Sequence, residues 1–215
     1  MKIHRNSKLV MIGDSITACG RTRPIAEAPR DNLGSGYVSL VDALLSSTYP
    51  QYAICVVNTG IGGNTVRDLK TRWQTDVFDL EPDWLSIMIG INDVWRHFDN
   101  NPMPAGQVSL EEFERTLDGL VLAARPGLKG LVLMTPYFLE PDRSDPMRTM
   151  MDEYRALVAA LAGKYEAILV DTQNAFDQAM QNIDPLVLAA DRVHPNLTGH
   201  MILARAFLKE IDFSW

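Results

Sequence analysis

Cysteine is nearly missing from this chain: among 215 residues there are two, Cys19 and Cys55. Two thiols build no disulfide framework, and neither stands in a metal-ligand spacing, so cysteine-based scaffolds and metal sites are set aside. Long apolar runs are missing too. No stretch approaches the ~20 residues that span a bilayer. The basic start, Met1 to Lys8, is followed by only four apolar residues before Gly13 and Asp14, too few for the core of a signal peptide. A soluble cytoplasmic protein with no membrane partner is the expectation. There is no basic run, and 20 Lys and Arg against 27 Asp and Glu leave a net charge of −7, which argues against nucleic acid. Linkers, repeats and low-complexity segments are likewise absent. A chain of this length suits one core rather than two, so one domain over residues 1–215 is expected. A 47% hydrophobic and 22% charged composition excludes disordered and fibrous classes.

What is present is a regular alternation. Leu9 to Ile12, Ala53 to Val57, Trp84 to Ile89, Leu131 to Met134 and Ile168 to Val170 read as strands buried on both faces. Between them lie helical patterns. Residues 37, 40, 41, 44 and 45 share one face, and Leu69, Trp73 and Val77 recur from a start near Val66. Ser109 with Glu112 marks a capping box opening a helix to Ala124. Met147, Met150, Tyr154, Leu157 and Leu161 line a long helix, and shorter ones follow near 173–182 and from Thr198. Residues 18–36 and 94–108 read as loop. The alternation predicts parallel βαβ units in a three-layer α/β sandwich with a five-stranded parallel sheet.

Polar residues gather at the strand ends, the edge where such sheets bind ligands. The first strand stops at Gly13-Asp14-Ser15, a tight turn that would expose a serine. A serine nucleophile needs a base, usually a histidine held by a carboxylate. Of the four histidines, only His194 has an acid three residues before it, Asp191, and a rigid Pro195 after it. An oxyanion needs preorganised donors. Three stand at three strand ends: the Ser15 N–H, the Gly63 N–H in the Gly60–Gly63 turn, and the Asn92 side chain.

Together these residues resemble the SGNH (GDSL-type) hydrolase superfamily. Gly13-Asp14-Ser15-Ile16 looks like its first block, and Gly60-Ile61-Gly62-Gly63-Asn64-Thr65 like its second. Gly90-Ile91-Asn92-Asp93 is similar to the third and Asp191-Arg192-Val193-His194 to the last. The resemblance implies a flavodoxin-like sheet and an ester hydrolase without metal or organic cofactor. It implies Ser15 as nucleophile, His194 as base and acid, Asp191 as its orienter, and Ser15, Gly63 and Asn92 as the oxyanion hole. Asn64 to Leu69 and Ile91 to Arg96 look like the carbohydrate acetylesterase branch, acetylxylan esterases in particular. That implies an acetylated sugar as small-molecule substrate. Trp95, Arg96, Tyr137 and Phe138 could form a sugar platform, since aromatic faces and a bidentate donor suit carbohydrate rings, or could merely pack the rim; Asp14 and Asn64 are further candidate contacts. Self-association is left open.

Each block has a plainer reading alone. Ser15 could cap a helix, Asn92-Asp93 could be a turn pair, and His194 a hydrogen-bonded loop residue. The glycine cluster fails as a dinucleotide loop, because Thr65 stands where a third glycine is needed and Gly90 where an acid is needed. His97 lacks partners for a metal site; His4 and His200 read as surface or packing residues. Two other functions stay open: a thioesterase or lysophospholipase of the same superfamily, and a sugar-binding protein that no longer catalyses.

Overall fold

The computed structural model describes residues 1–99 and 106–214. The apolar runs become β1 (Lys8–Gly13), β3 (Cys55–Asn58), β4 (Trp84–Met88), β5 (Gly130–Met134) and β6 (Ile168–Val170), joined by a short β2 (Ala26–Glu27). Their order is β2-β3-β1-β4-β5-β6. All neighbours run parallel except β2, which pairs antiparallel with β3 at the edge. The sheet therefore has six strands where five are expected from sequence. Two residues in a proline-flanked stretch carry no periodicity, so β2 was hidden in the segment read as loop.

Among the described residues there are ten α-helices, besides three single-turn 3-10 helices: α1 (Ser15–Ala18), α2 (Tyr37–Thr48), α3 (Val66–Thr71), α4 (Trp73–Asp76), α5 (Ile91–Trp95), α6 (Leu110–Ala124), α7 (Pro146–Lys164), α8 (Thr172–Ala179), α9 (Pro185–Leu188) and α10 (Leu197–Glu210). Helices α2, α8 and α10 pack together on one face of the sheet, and α3, α6 and α7 on the other. Each long helix buries one stripe. In α6 the stripe is Phe113, Leu117, Leu120, Val121 and Ala124, and the Ser109 hydroxyl accepts from the Glu112 N–H at its start. In α7 the Asp145 carboxylate caps Met147 and Arg148 ahead of Pro146. Its buried stripe centres on Met147, Met151, Tyr154, Val158 and Leu161, leaving Met150 and Leu157 at the margin.

Two local expectations are corrected. The helix begun at Val66 does not run on to Val77 but breaks at Arg72 (φ −111°, ψ 10°) into α3 and α4. Residues 94 and 95 belong to α5 rather than to a loop. Of that loop stretch, 100–105 lie outside the described residues. Among the described residues no helix is long and apolar enough to cross a membrane.

Candidate active site

Strand β1 lies between β3 and β4, so its carboxyl end is flanked by the glycine turn after β3 and the Gly90-Ile91-Asn92 turn after β4. The chain leaves β1 toward β3 and later resumes at β4 on the other side, which opens a crevice at this edge. A Cβ on Gly13 would come within 2.4 Å of the Met88 carbonyl and the Thr17 hydroxyl, so only glycine lets the chain turn here. Helix α1 is a single turn. The buried Asp14 carboxylate accepts from the Ile16 N–H at 2.9 Å, and Cys19 ends the turn in the left-handed region (φ 34°). The Ser15 side chain is thereby presented at the sheet edge.

His194 reaches it from the far end of the chain. Ser15 Oγ lies 2.8 Å from His194 Nε2, and His194 Nδ1 lies 2.7 Å from Asp191 Oδ2. A carboxylate can only accept, so Nδ1 carries the ring proton and Nε2 offers its lone pair to the serine hydroxyl. The other oxygen of Asp191 accepts from the Val193 and His194 N–H groups at 3.0 and 2.8 Å. Burial raises the Asp191 carboxyl, but the bonds from the His194 ring and from these two backbone N–H groups outweigh it and hold the acid below its ordinary range. Arg192, at φ 60°, supplies the left-handed step that folds acid and imidazole together. The His194 and Asp191 side chains are 46% and 42% exposed, so the relay faces an open surface able to admit a bulky polar group.

The segment after β5 cradles this loop. The Tyr137 hydroxyl donates to the Val193 carbonyl at 3.1 Å, and the Leu139 N–H donates to the Arg192 carbonyl at 3.0 Å. Arg192 pairs with Glu140 and lies over the Phe138 ring. Tyr137 and Phe138 are both buried, Tyr137 packing on Phe176 with ring centroids 4.5 Å apart. The expectation that they form a sugar platform is corrected: the Tyr137 hydroxyl and ring are spent on the loop that carries His194 and on the core. Asp14 is corrected likewise, being shut beneath Ser15 as a cap.

Gly63 sits at φ 77°, a conformation that glycine takes without strain. Its neighbour Gly62 lies over Ser15, since a Cβ there would stand 3.8 Å from the Ser15 Cβ. Asn92 lies in the first turn of α5, and its NH₂ group donates one hydrogen to the Asn64 carbonyl at 2.9 Å. That anchors the amide and leaves a second hydrogen for a ligand. The Asn64 side chain, a candidate substrate contact, turns instead to Arg72, 2.8 Å from Oδ1. Trp95 stays half-buried with its ring 5.9 Å from that of His194, and Arg96 donates to the Gly63 carbonyl at 2.9 Å. These two remain beside the relay.

Two carboxyls lie under the site. Burial pushes Asp14 up to about 7, against the Ile16 N–H and His194. Burial also pushes Asp93 up to about 7 against the Val66 N–H, with Asp14 adding repulsion, and among the described residues Asp93 Oδ2 has no hydrogen-bond partner. A carboxyl raised on folding makes the native state bind more protons than the unfolded chain between about pH 4 and 7. Its contribution to stability therefore declines as pH climbs through that window. Between pH 5 and pH 8 Asp93→Asn should therefore gain on the parent by on the order of 2–3 kcal/mol, because the parent loses stability until its native acid ionises near 7. Denaturant unfolding at both pH values measures this; an equal loss at both would mean that the acid is ionised in the fold.

The other histidines fall outside the relay. His97 is bonded through Nε2 to the Val108 carbonyl at 2.9 Å. His200, 4% exposed, accepts from the Tyr37 N–H and meets Cys19 Sγ at 3.3 Å through Nε2. Burial, with the His194 charge behind it, pushes it down to about 4. Among the described residues no group of three or more His, Cys, Asp or Glu could hold a metal ion. Sequence reasoning missed Arg72 and Asn58. Asn58 gives its NH₂ to the Thr17 and Leu33 carbonyls and its oxygen to the Gly60 N–H, tying the glycine turn to α1. A polar residue closing a buried strand was a usable signal for Asn58; nothing local marked Arg72.

With a serine–histidine–aspartate relay at the edge of a doubly wound sheet, the chain belongs to the GDSL-like lipase/acylhydrolase family, whose profile matches residues 11–202. It is a carboxylic ester hydrolase. Among characterised relatives, it is 54% identical to an acetylxylan esterase of Geobacillus stearothermophilus over all of this chain and 98% of that one. The crystal structure of Axe2, an acetylxylan esterase from that organism, superposes with a TM-score of 0.98 at 53% identity, covering 100% of this chain and 98% of the other. Axe2 has also been solved as the catalytic mutants S15A, D191A and H194A. LAE5, an α/β hydrolase from the metagenome of Lake Arreo, Spain, matches with a TM-score of 0.97 at 49% identity, over 99% of this chain and 98% of its own.

Proposed function

We propose that this protein is a serine acetylesterase that removes acetyl groups from xylo-oligosaccharides. The observation that carries the reading is the continuous relay from Ser15 Oγ through His194 to Asp191, at 2.8 and 2.7 Å. It is supported by the relative's catalytic mutants, since this chain has Ser, Asp and His at the same three numbers. The substrate class follows from the whole-length likeness to acetylxylan esterases.

Ser15 Oγ attacks the ester carbonyl as His194 Nε2 takes its proton. Negative charge gathers on the carbonyl oxygen, where the Ser15 and Gly63 N–H groups and the free Asn92 hydrogen stabilise it. His194 then passes the proton to the departing sugar oxygen, the C–O bond breaks, and acetyl remains on Ser15. Water, losing a proton to the same imidazole, attacks the acyl-enzyme, and proton return to Ser15 Oγ releases acetate. Trp95 offers an aromatic face beside His194 for a sugar ring. A cytoplasmic protein of this kind would meet short imported oligosaccharides rather than polymer.

The test compares acetate, butyrate and octanoate esters of one alcohol, together with acetylated xylo-oligosaccharides, by release of free acid. Acetate should be preferred over octanoate in kcat/KM by roughly tenfold or more. Preference for octanoate would replace the acetylesterase reading with a lysophospholipase or thioesterase.

A further inference from the structure

The break between α3 and α4 places one buried guanidinium under three parts of the site at once. Arg72 Nη2 donates to the Gly13 carbonyl at 2.9 Å, where β1 ends one residue before Asp14. Nη1 donates to the Thr59 carbonyl at 2.6 Å, just ahead of the glycine turn, and to Asp76 at 2.5 Å. Nε donates to Asn64 Oδ1 at 2.8 Å, and the carbonyl of that same Asn64 holds the Asn92 amide at 2.9 Å. The Gly13 carbonyl also accepts from the Ile61 N–H at 3.1 Å, so nucleophile turn and glycine turn share one acceptor. The side chain is 11% exposed, and burial holds its pKa below the ordinary arginine value despite the Asp76 pair.

Four bonds at fixed angles to four acceptors are a demand that only a planar fork meets; an ammonium is a single point with fewer simultaneous directions. Gly13 and Asn64 lie in the turns that carry Ser15 and Gly63, Thr59 stands just ahead of the second turn, and the Asn64 carbonyl holds Asn92. Three of the four contacts thus bear on the three oxyanion donors of the proposed mechanism, while Asp76 lies apart in α4. Arg72 touches no reacting atom. From this geometry we infer that Arg72 is a positioning residue for the oxyanion hole, acting through Asn64 on the Asn92 amide and through Gly13 and Thr59 on the spacing of the two turns. The inference rests on the serine esterase reading. It also reassigns Asn64 from substrate contact to the link between Arg72 and Asn92.

Because the bonds organise donors that matter most in the transition state, their loss should lower kcat and leave KM nearly unchanged. Arg72→Lys, assayed with an aryl acetate beside thermal unfolding, should lose 10–100-fold in kcat with KM within about threefold of the parent. Asn64→Ala, which keeps the Gly13, Thr59 and Asp76 anchors, should lose roughly 5–20-fold in kcat by the same route, again at constant KM. Adding Asn64→Ala to Arg72→Lys should cost little further, since the link from Arg72 to Asn64 is already broken. A folded Arg72→Lys protein with kcat within about twofold of the parent, a rise in KM at constant kcat for Asn64→Ala, or full additivity would each overturn the inference. If Arg72→Lys does not fold, Asn64→Ala decides alone. Ser15→Ala in the same assay separates the two levels: activity surviving there defeats the esterase reading, whereas an inactive Ser15→Ala beside an unimpaired Asn64→Ala defeats only the role of Arg72.

Discussion

Ser15→Ala and His194→Ala are each expected to lower kcat on an acetate ester by on the order of 10⁴- to 10⁶-fold, with a smaller change in KM. The size follows from the relay. Without Oγ there is no acyl acceptor, and without the imidazole the Ser15 proton has nowhere to go, because Asp191 reaches the serine only through the ring. The two losses should not multiply. A Ser15→Ala/His194→Ala protein should be about as slow as either single variant, the remainder coming from binding and the oxyanion donors. Both side chains stand at an open edge and pack against little, so melting temperatures should stay within a few degrees of the parent. Spectrophotometric turnover with and without a serine-directed phosphonate reads the result. A folded Ser15→Ala protein that still turns over, or a phosphonate adduct on another residue, would move the nucleophile elsewhere.

The next largest effect is expected at Asn92. Asn92→Ala removes one oxyanion donor and should cost roughly 10²- to 10³-fold in kcat, with KM little altered. The amide is useful because it is already oriented: one hydrogen is bound to the Asn64 carbonyl, so the other need not be ordered during the reaction. Asn92→Asp should be no better than alanine. It replaces a donor by an acceptor, sets a negative charge where another develops, and adds to the buried Asp14 and Asp93 carboxyls. Steady-state kinetics on one acetate ester compares all three proteins. An alanine variant within fivefold of the parent would assign the oxyanion to backbone N–H groups alone.

The relay was open to sequence reasoning because its parts announce themselves locally. Asp191, His194 and Pro195 lie within one turn, and Gly13-Asp14-Ser15 ends a run too apolar to be anything but a buried strand. The substrate contacts were less legible. Tyr137 and Phe138 follow a strand end just as Trp95 closes the short helix after another, yet Tyr137 is 1% exposed and bonded to the Val193 carbonyl. A side chain at a strand end can turn outward to a ligand or inward to a neighbouring loop, and its immediate neighbours in the chain are the same either way. Asp14 illustrates the same ambiguity: an acid beside a nucleophile can face the substrate or cap a one-turn helix.

Periodicity and strand-end chemistry, which depend on residues a few positions apart, determined the α/β class, the strands of the parallel core and the candidates for nucleophile and base. Tertiary structure decided the sixth strand, the break at Arg72 and the inward turn of Tyr137. It also decided the convergence of Gly13, Thr59 and Asn64 on one guanidinium, spanning 59 positions between Gly13 and Arg72. Such contacts arise when distant segments pack and a buried donor must find whichever carbonyl lies nearest, a requirement that leaves no mark on the residues beside it.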